Sequence, residues 1–392
     1  MNVEQVFREE RGRLLATLVK RFGDLDLAEE VTSDAIEAAL RHWPVDGVPD
    51  RPGAWLLTTA RRKAVDRLRR DQAYAARLAL LQVEVSRADA PVTGSLPDER
   101  LELFFTCAHP ALPAEDRGAL ILRCLAGFTT PEVARAYLVP VAAMQQRIVR
   151  AKKKIREARI PFRVPDPDEL PERLPGVLQA VYSIFTEGYA AQRADLADEA
   201  IRLARILGGL ISDREVTGLL ALMLLVHARR DAREELLEDQ DRALWDSDMI
   251  AEGCALAEVA LTGGYGPYGV QAAINAVHAE AADFARTDWR QIVALYDVLL
   301  KLTPSPVIAL NRAAAVAMRD GAAAGLALLD ELADEPKLRD YHPYRAARAD
   351  LLHRLGRRAE AAEAYREAIA LAGTSSEQDF LRRRLTAVEE QS

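Results

Sequence analysis

The chain has 392 residues, 49% of them hydrophobic, and a net charge of −8. That length suggests two or three domains with ample apolar material for packed cores, and the dominance of Ala, Leu, Arg and Glu over Gly predicts an all-α fold. There is no run of 18 apolar residues to span a membrane. The three scattered cysteines (Cys107, Cys124, Cys254) form neither a disulfide framework nor a metal knuckle, and the charged N-terminus does not read as a signal peptide, so a cytoplasmic location is expected.

The charge is unevenly spread: residues 1–160 carry +4 and residues 161–392 carry −12. This suggests a nucleic-acid-facing part and a part with another task. Residues 3–42 read as two helices. Val3, Phe7, Leu14, Leu15, Leu18 and Val19 mark the inner side of the first, and Gly23 its C-terminal cap. The second places Leu27, Val31, Ala35, Ile36 and Leu40 on one face and Glu29, Glu30, Asp34 and Glu37 on the other, an acidic surface for solvent or a partner. Pro44 to Pro52 reads as a loop. A third helix follows, with Trp55, Leu56, Thr59, Ala60 and Val65 inward. It carries six cations within ten residues: Arg61, Arg62, Lys63, Arg67, Arg69 and Arg70. That density suits a phosphate backbone or a surface of snorkelling side chains. The helix is expected to reach Leu81, and residues 82–97 read as a flexible tether.

Residues 98–160 form a second helical unit. Leu101, Leu103, Phe104 and Phe105 begin one helix; Pro113 opens another, which carries Leu120, Ile121, Leu122 and Leu125 and ends at Gly127. Thr129 and Thr130 before Pro131 and Glu132 are a helix start. Leu138-Val139-Pro140 ends that helix. In the next, Val141, Met144, Ile148 and Ala151 repeat at helical spacing, and the other face carries Gln145, Gln146, Arg147, Arg150, Lys152, Lys153 and Lys154. Seven cations against one acid over 141–160 fit a helix-turn-helix whose second helix enters the DNA major groove. There glutamine reads adenine edges, and arginine reads guanine or holds phosphate. An αα-hairpin with a solvated basic face is the alternative.

Two small helical units, each ending in a basic helix, resemble domains two and four of bacterial sigma factors of the extracytoplasmic-function class. The stretches AEEVTSDAIEAALRHW (28–43) and PGAWLLTTARRKAVDRLRR (52–70) carry the first resemblance, and residues 112–156 the second. The resemblance implies that Glu29, Glu30 and Asp34 dock on the clamp helices of the RNA polymerase β′ subunit, with a further contact to the β flap. It implies that the loop at 45–52, with Asp46, Asp50 and Arg51, captures an unstacked base of the −10 element. Arg61, Arg62, Lys63, Arg69 and Arg70 then hold that element and its backbone. Gln145, Gln146, Arg147, Val149, Arg150, Lys152 and Lys153 face the −35 element. The implied domains are 1–81 and 98–160 about the linker 82–97, followed by an extension over 161–392.

Pro161, Pro165, Pro167, Pro171 and Pro175 mark the start of that extension, which is helical throughout. Residues 305–332 align with 342–369, and Gly321 and Gly356 each fall between two helices. The second copy resembles a tetratricopeptide repeat, which stacks into a solenoid. The segment Tyr182–Tyr189, including Glu187, Gly188 and Tyr189, is a candidate regulatory feature. The glycine-rich stretch 261–281 lacks a P-loop lysine and reads as a helix–helix turn or, alternatively, a pocket. Together these features resemble sigma factors with a tetratricopeptide-like C-terminal extension that regulates them, which here implies intramolecular contact with the sigma domains. The six histidines form no metal-spaced cluster and no catalytic constellation can be placed, so neither an enzyme nor a cofactor is expected. A conventional helix-turn-helix regulator with a repeat-type sensor is the alternative, which leaves the first basic helix unexplained.

Overall fold

The computed structural model describes residues 3–70, 98–190, 193–233, 235, 237–373 and 375–390. The expected helical continuation over 71–81 and the linker at 82–97 lie outside these residues, as do the side chains of Val3 and Arg70. Every regular element among the described residues is a helix, and the chain divides into two compact units, Met1–Ser212 and Asp213–Ser392.

The first unit begins with α1 (Val3–Phe22), α2 (Leu25–Asp46) and α3 (Pro52–Arg70), packed on one another. Gly23 closes α1 with φ 68°. Asp24 caps α2, its carboxylate accepting from the N–H groups of Asp26 and Leu27. Aromatic contacts join the three helices: Phe7 stacks on Trp43 at 5.3 Å, and Trp43 meets Trp55 edge-on at 5.5 Å. Trp43 takes the inner position at the end of α2, so the buried stripe runs through Ala28, Val31, Ala35 and Ala39, and Leu40 is turned outward. The helix also continues through Pro44, which the sequence places in a loop. A proline in the last turn forfeits one backbone bond but leaves the chain free to continue. Asp46 therefore ends the helix beside His42 instead of lying in the loop.

Next come α4 (Arg100–Cys107), α5 (Ala114–Cys124), α6 (Thr130–Ala136) and α7 (Val141–Glu157). α6 starts with a reciprocal capping box between Thr129 and Glu132, and Pro131 occupies its first turn. It ends at Leu138, held at φ 51°, with the Val139 N–H returning to the Ala134 carbonyl at 3.0 Å. This left-handed closure ordinarily takes glycine. Leu138 is 79% exposed, so its side chain repays little of that strain.

The compact unit extends past residue 160. α8 (Leu170–Ala190) and α9 (Ala194–Leu210) pack together, and α8 also lies against α4 and α5. One face of α8 meets the helix-turn-helix unit: Arg173 donates to the Phe105 carbonyl at 3.2 Å, and Gly176 sits against the Ala108 carbonyl. Further along that face Ser183 lies beside Gly118, where the absence of a side chain leaves room for the Tyr137 hydroxyl. Burial first, and then Glu187, push the Tyr137 phenol above its ordinary pKa. Another face meets α9 through Gly188, where a β-carbon would come within 2.7 Å of the Ala197 nitrogen. Pro171 and Pro175 both lie within α8, near its start.

The second unit comprises α10 (Arg214–His227), α11 (Ser247–Leu261), α12 (Pro267–Glu280), α13 (Trp289–Leu302), α14 (Pro306–Asp320), α15 (Ala322–Glu331), α16 (His342–Arg354), α17 (Arg358–Leu371) and α18 (Ser375–Glu390). Each helix packs on the next. The glycine-rich stretch is a helix–helix turn held by α10: Arg214 donates to the Gly263 carbonyl at 3.0 Å, and the Glu215 carboxylate accepts from the N–H groups of Tyr268 and Gly269 at 2.9 and 3.1 Å. Glu215 thereby satisfies donors in the first turn of α12. α10 and α12 touch at Gly218 and Gly269, where a β-carbon on Gly218 would lie 2.5 Å from the Gly269 nitrogen. Gly321 and Gly356, at φ 100° and 72°, make the turns of the α14–α15 and α16–α17 pairs. Ala349, Leu352, Ala362, Tyr365 and Ala368 of the second pair are all buried.

Leu138→Gly is expected to raise stability by roughly 0.5–1 kcal/mol, read by chemical denaturation. A chain ending at residue 165 exposes the surface that α8 covers; it is expected to unfold at lower denaturant than one ending at residue 212, with helical circular dichroism as the probe. His278 is 9% exposed, and burial, then Arg229 and Arg242, lower its pKa from 6.5 to about 4. A depressed folded-state pKa lends stability that is complete above the unfolded value and is lost as pH falls through the folded one. That contribution is up to roughly 3 kcal/mol. Between pH 6.5 and 4 the native chain should lose this much more stability than His278→Gln does.

Candidate nucleic-acid interface

α7 is placed by its inner residues. Met144, Ile148 and Ala151 are buried against the preceding helices, which turns Gln145, Gln146, Val149, Arg150 and Lys153 outward as one exposed face. Val149 is 59% exposed, so this face pairs polar and cationic groups with an apolar one. Such a mixture suits base edges, thymine methyls and phosphates. Val141, which shares the helical spacing of the buried residues, is 45% exposed because it precedes the first turn that packs.

Two of the seven residues expected on this face point elsewhere. Arg147 donates to Asp116 at 2.8 Å and pairs with Glu115 at 3.4 Å, bracing α7 on α5. Its side chain is only 18% exposed. Lys152 is 14% exposed and faces α2, contacting Glu29 directly and Asp26 at 3.2 Å. Burial opposes its charge, but Glu29 and Asp26 outweigh that penalty and raise its pKa above the ordinary lysine value.

The acidic face of α2 is likewise divided. Glu29 is buried between Lys152 and Arg123, whose guanidinium lies 3.1 Å away. Glu30 and Asp34 instead face α3, pairing with Arg67 at 2.7 and 3.9 Å. On α3 and the turn before it, Asp50, Arg51, Arg62 and Arg69 are exposed, and Arg61 and Lys63 are half-buried. Asp50 and Arg51, with Asp46 at the end of α2, form a mixed-charge rim around the α2–α3 turn, and Arg62 and Arg69 lie further along α3.

Glu187, Gly188 and Tyr189 do not converge on a site. Glu187 is exposed, Gly188 carries the close approach of α8 to α9, and Tyr189 stacks on Phe185 at 6.1 Å. Sequence reasoning missed the partners across α2 and α7. Asp26 pairs with Arg156 at 3.0 Å as well as with Lys152, and Arg123 holds Glu29. Their separation in sequence hid them, because only folding brings residues more than ninety positions apart together. The same is true of Glu215, which accepts from the N–H groups of Tyr268 and Gly269, whereas Asp213 caps α10 locally.

Residues 6–74 match the family model Sigma-70 region 2, and residues 105–155 match Sigma-70, region 4. Residues 173–261 match a family of unknown function, DUF6596. The chain is 42% identical over 395 residues to an uncharacterized protein of Rhizobium meliloti (strain 1021), covering 96% of this chain and 93% of the relative. The first match covers α1–α3, and the second contains the helix-turn-helix. The chain therefore belongs to the sigma-70 family: it is an extracytoplasmic-function-like sigma factor, which recognises promoters and initiates transcription, with an additional C-terminal domain.

Proposed function

We propose that this sigma factor reads the −35 element with the outer face of α7 and the −10 element with the α2–α3 turn and α3. The observation that carries this is the exposed row Gln145, Gln146, Val149, Arg150 and Lys153 on the second helix of a helix-turn-helix. Arg62, Arg69 and Arg51 supply exposed cations for the −10 strand backbone, with Arg61 and Lys63 beside them. Promoter opening needs cationic strand contacts and a site that favours an unstacked base, not a catalytic group. The rim at Asp46, Asp50 and Arg51 offers that site. Glu30 and Asp34, with Glu29, dock on the β′ clamp helices, and the helix-turn-helix unit meets the β flap.

The functional division runs over 1–81, 98–160 and the extension from 161, about the linker 82–97, in the cytoplasm. The extension is a regulatory helical array of tetratricopeptide-like character, and contact between it and the sigma domains sets their activity. The two helix pairs that turn at Gly321 and Gly356 support this reading, and so does α8, whose packing on α4 and α5 makes it part of the promoter-reading unit.

The test is in-vitro transcription with purified core RNA polymerase on the DNA upstream of this protein's own coding sequence. Start-site-specific transcripts that require the protein support the proposal; their absence together with no core binding refutes it. Arg150→Ala or Gln146→Ala is expected to weaken −35 binding roughly 10- to 100-fold, the value of a base-edge contact. Arg147→Ala should instead lower the unfolding midpoint and leave the preference among −35 sequences unchanged, because its partners are Glu115 and Asp116.

A further inference from the structure

We propose that the second unit binds an oxyanion, the carboxylate or phosphate group of a small molecule, where the C-terminal end of α12 meets the irregular segments 228–246 and 281–288. All of its residues belong to that unit, and none belongs to the promoter-reading surfaces.

Four buried polar atoms carry the proposal. Arg242 Nη2, Trp245 Nε1, His278 Nδ1 and Thr287 Oγ1 have no hydrogen-bond partner among the described residues. Trp245 is 7% exposed, Thr287 6% and His278 9%. Guanidinium and indole only donate, and a hydroxyl or a neutral imidazole can donate as well. Protein interiors leave few such groups unpaired, because each forfeits its hydration without a replacement bond. Several together point to an acceptor that comes from outside the chain.

The four groups belong to one continuous patch. The Arg242 guanidinium lies 4.4 Å from the centre of the Trp245 ring. Its Nη1 donates to the His278 and Ala281 carbonyls at 2.8 and 2.7 Å, which leaves Nη2 over. The His278 ring meets Trp289 edge-on at 5.2 Å, and the Trp289 backbone N–H donates to the Thr287 carbonyl at 2.9 Å. Two of the donors stand on the segment before α11, one on α12 and one on the segment before α13. A ligand held by all four ties both irregular segments to the helix between them.

Charge selects an anion. Arg229 joins Arg242 over the indole, 5.7 Å from the ring centre, and donates to Asn275 Oδ1 at 2.6 Å. Neighbouring carboxylates are engaged elsewhere. Asp246 accepts from the Met249 N–H and faces Arg230 at 3.6 Å. Asp283, the acid whose charge Arg242 senses, accepts from the Arg286 N–H and pairs with its side chain at 3.4 Å. Burial, and then the two guanidiniums, hold the His278 imidazole neutral. An oxyanion supplies acceptors to the donors and a counter-charge to the arginines, and its bonds to guanidinium are of the strong, charge-assisted kind.

The test uses the full-length chain in chloride buffer, native and as Arg242→Gln, Trp245→Phe and Thr287→Val. The probes are inorganic phosphate and succinate, with sodium chloride at matched ionic strength as the control for screening. Unfolding midpoint and amide exchange of residues 240–246 and 281–289 are read. The expected result is a saturable rise in midpoint below about 1 mM of phosphate or succinate, with protection of both segments and no such response to chloride. The anion that acts identifies the group as phosphate or carboxylate. Arg242→Gln and Trp245→Phe should each weaken binding roughly tenfold or more, the value of a bond to a charged group. Thr287→Val should weaken it too, while leaving the anion-free chain at least as stable as the native one, since an unpartnered hydroxyl is lost. If Arg242→Gln does not fold, the other two variants decide. A response that all variants retain places the anion elsewhere and overturns the proposal. No saturable response to either anion also overturns it, and a Thr287→Val chain less stable than the native one then identifies water as the partner of these groups.

Discussion

The first unit is organised around one buried carboxylate. A carboxylate buried away from water needs cations to meet it, and Lys152 and Arg123 reach Glu29 from two different helices of the helix-turn-helix region. That requirement sets where α2 lies against α5 and α7. Such pairs add little net stability compared with an apolar contact, but losing one partner strands a charge, at a cost on the order of 3–5 kcal/mol. The cluster therefore acts through specificity: one arrangement of the two regions satisfies it.

Glycines fulfil the corresponding role for shape. At Gly12, Gly118 and Gly188 the missing side chain lets a carbonyl, a phenol oxygen or a backbone nitrogen approach as no β-carbon would permit. Gly118 and Gly188 show why the start of the C-terminal extension belongs to the first compact unit. The first admits Tyr137 beside α8, and the second seats α8 on α9. A helix held so closely by both neighbours shares the mechanics of the promoter-reading unit and is not a tethered appendage.

In the second unit polar side chains serve backbone ends. Glu215 accepts the first N–H groups of α12, while Arg242 donates to the His278 and Ala281 carbonyls at its other end, at 2.8 and 2.7 Å. Arg229 and Arg242 also lie over the Trp245 ring. These contacts fasten the irregular segment after α10 to α12, and they leave His278 neutral beside two cations.

Local patterns determined much of this protein in advance. The Thr129–Pro131–Glu132 start, the Gly23 and Gly127 stops and the Met144–Ile148–Ala151 stripe each act over a few residues. The helices, the helix-turn-helix and the glutamine–arginine face were therefore legible from the sequence alone. Periodicity assigns a residue to a face but does not say what that face meets. Arg147 and Lys152 share the basic character of Arg150, yet carboxylates on α5 and α2 take the first two while the third stays exposed. Leu40 and Trp43 compete for one inner position, and the larger ring prevails through its contacts with Phe7 and Trp55. The proline-rich segment after residue 160 looked like a boundary, but Arg173 and Gly176 just beyond it meet α4 and the residue that follows it. Those outcomes depend on partners distant in sequence, and only the tertiary structure decided them, because burial of charge and close approach of backbone are properties of the pair and not of either residue.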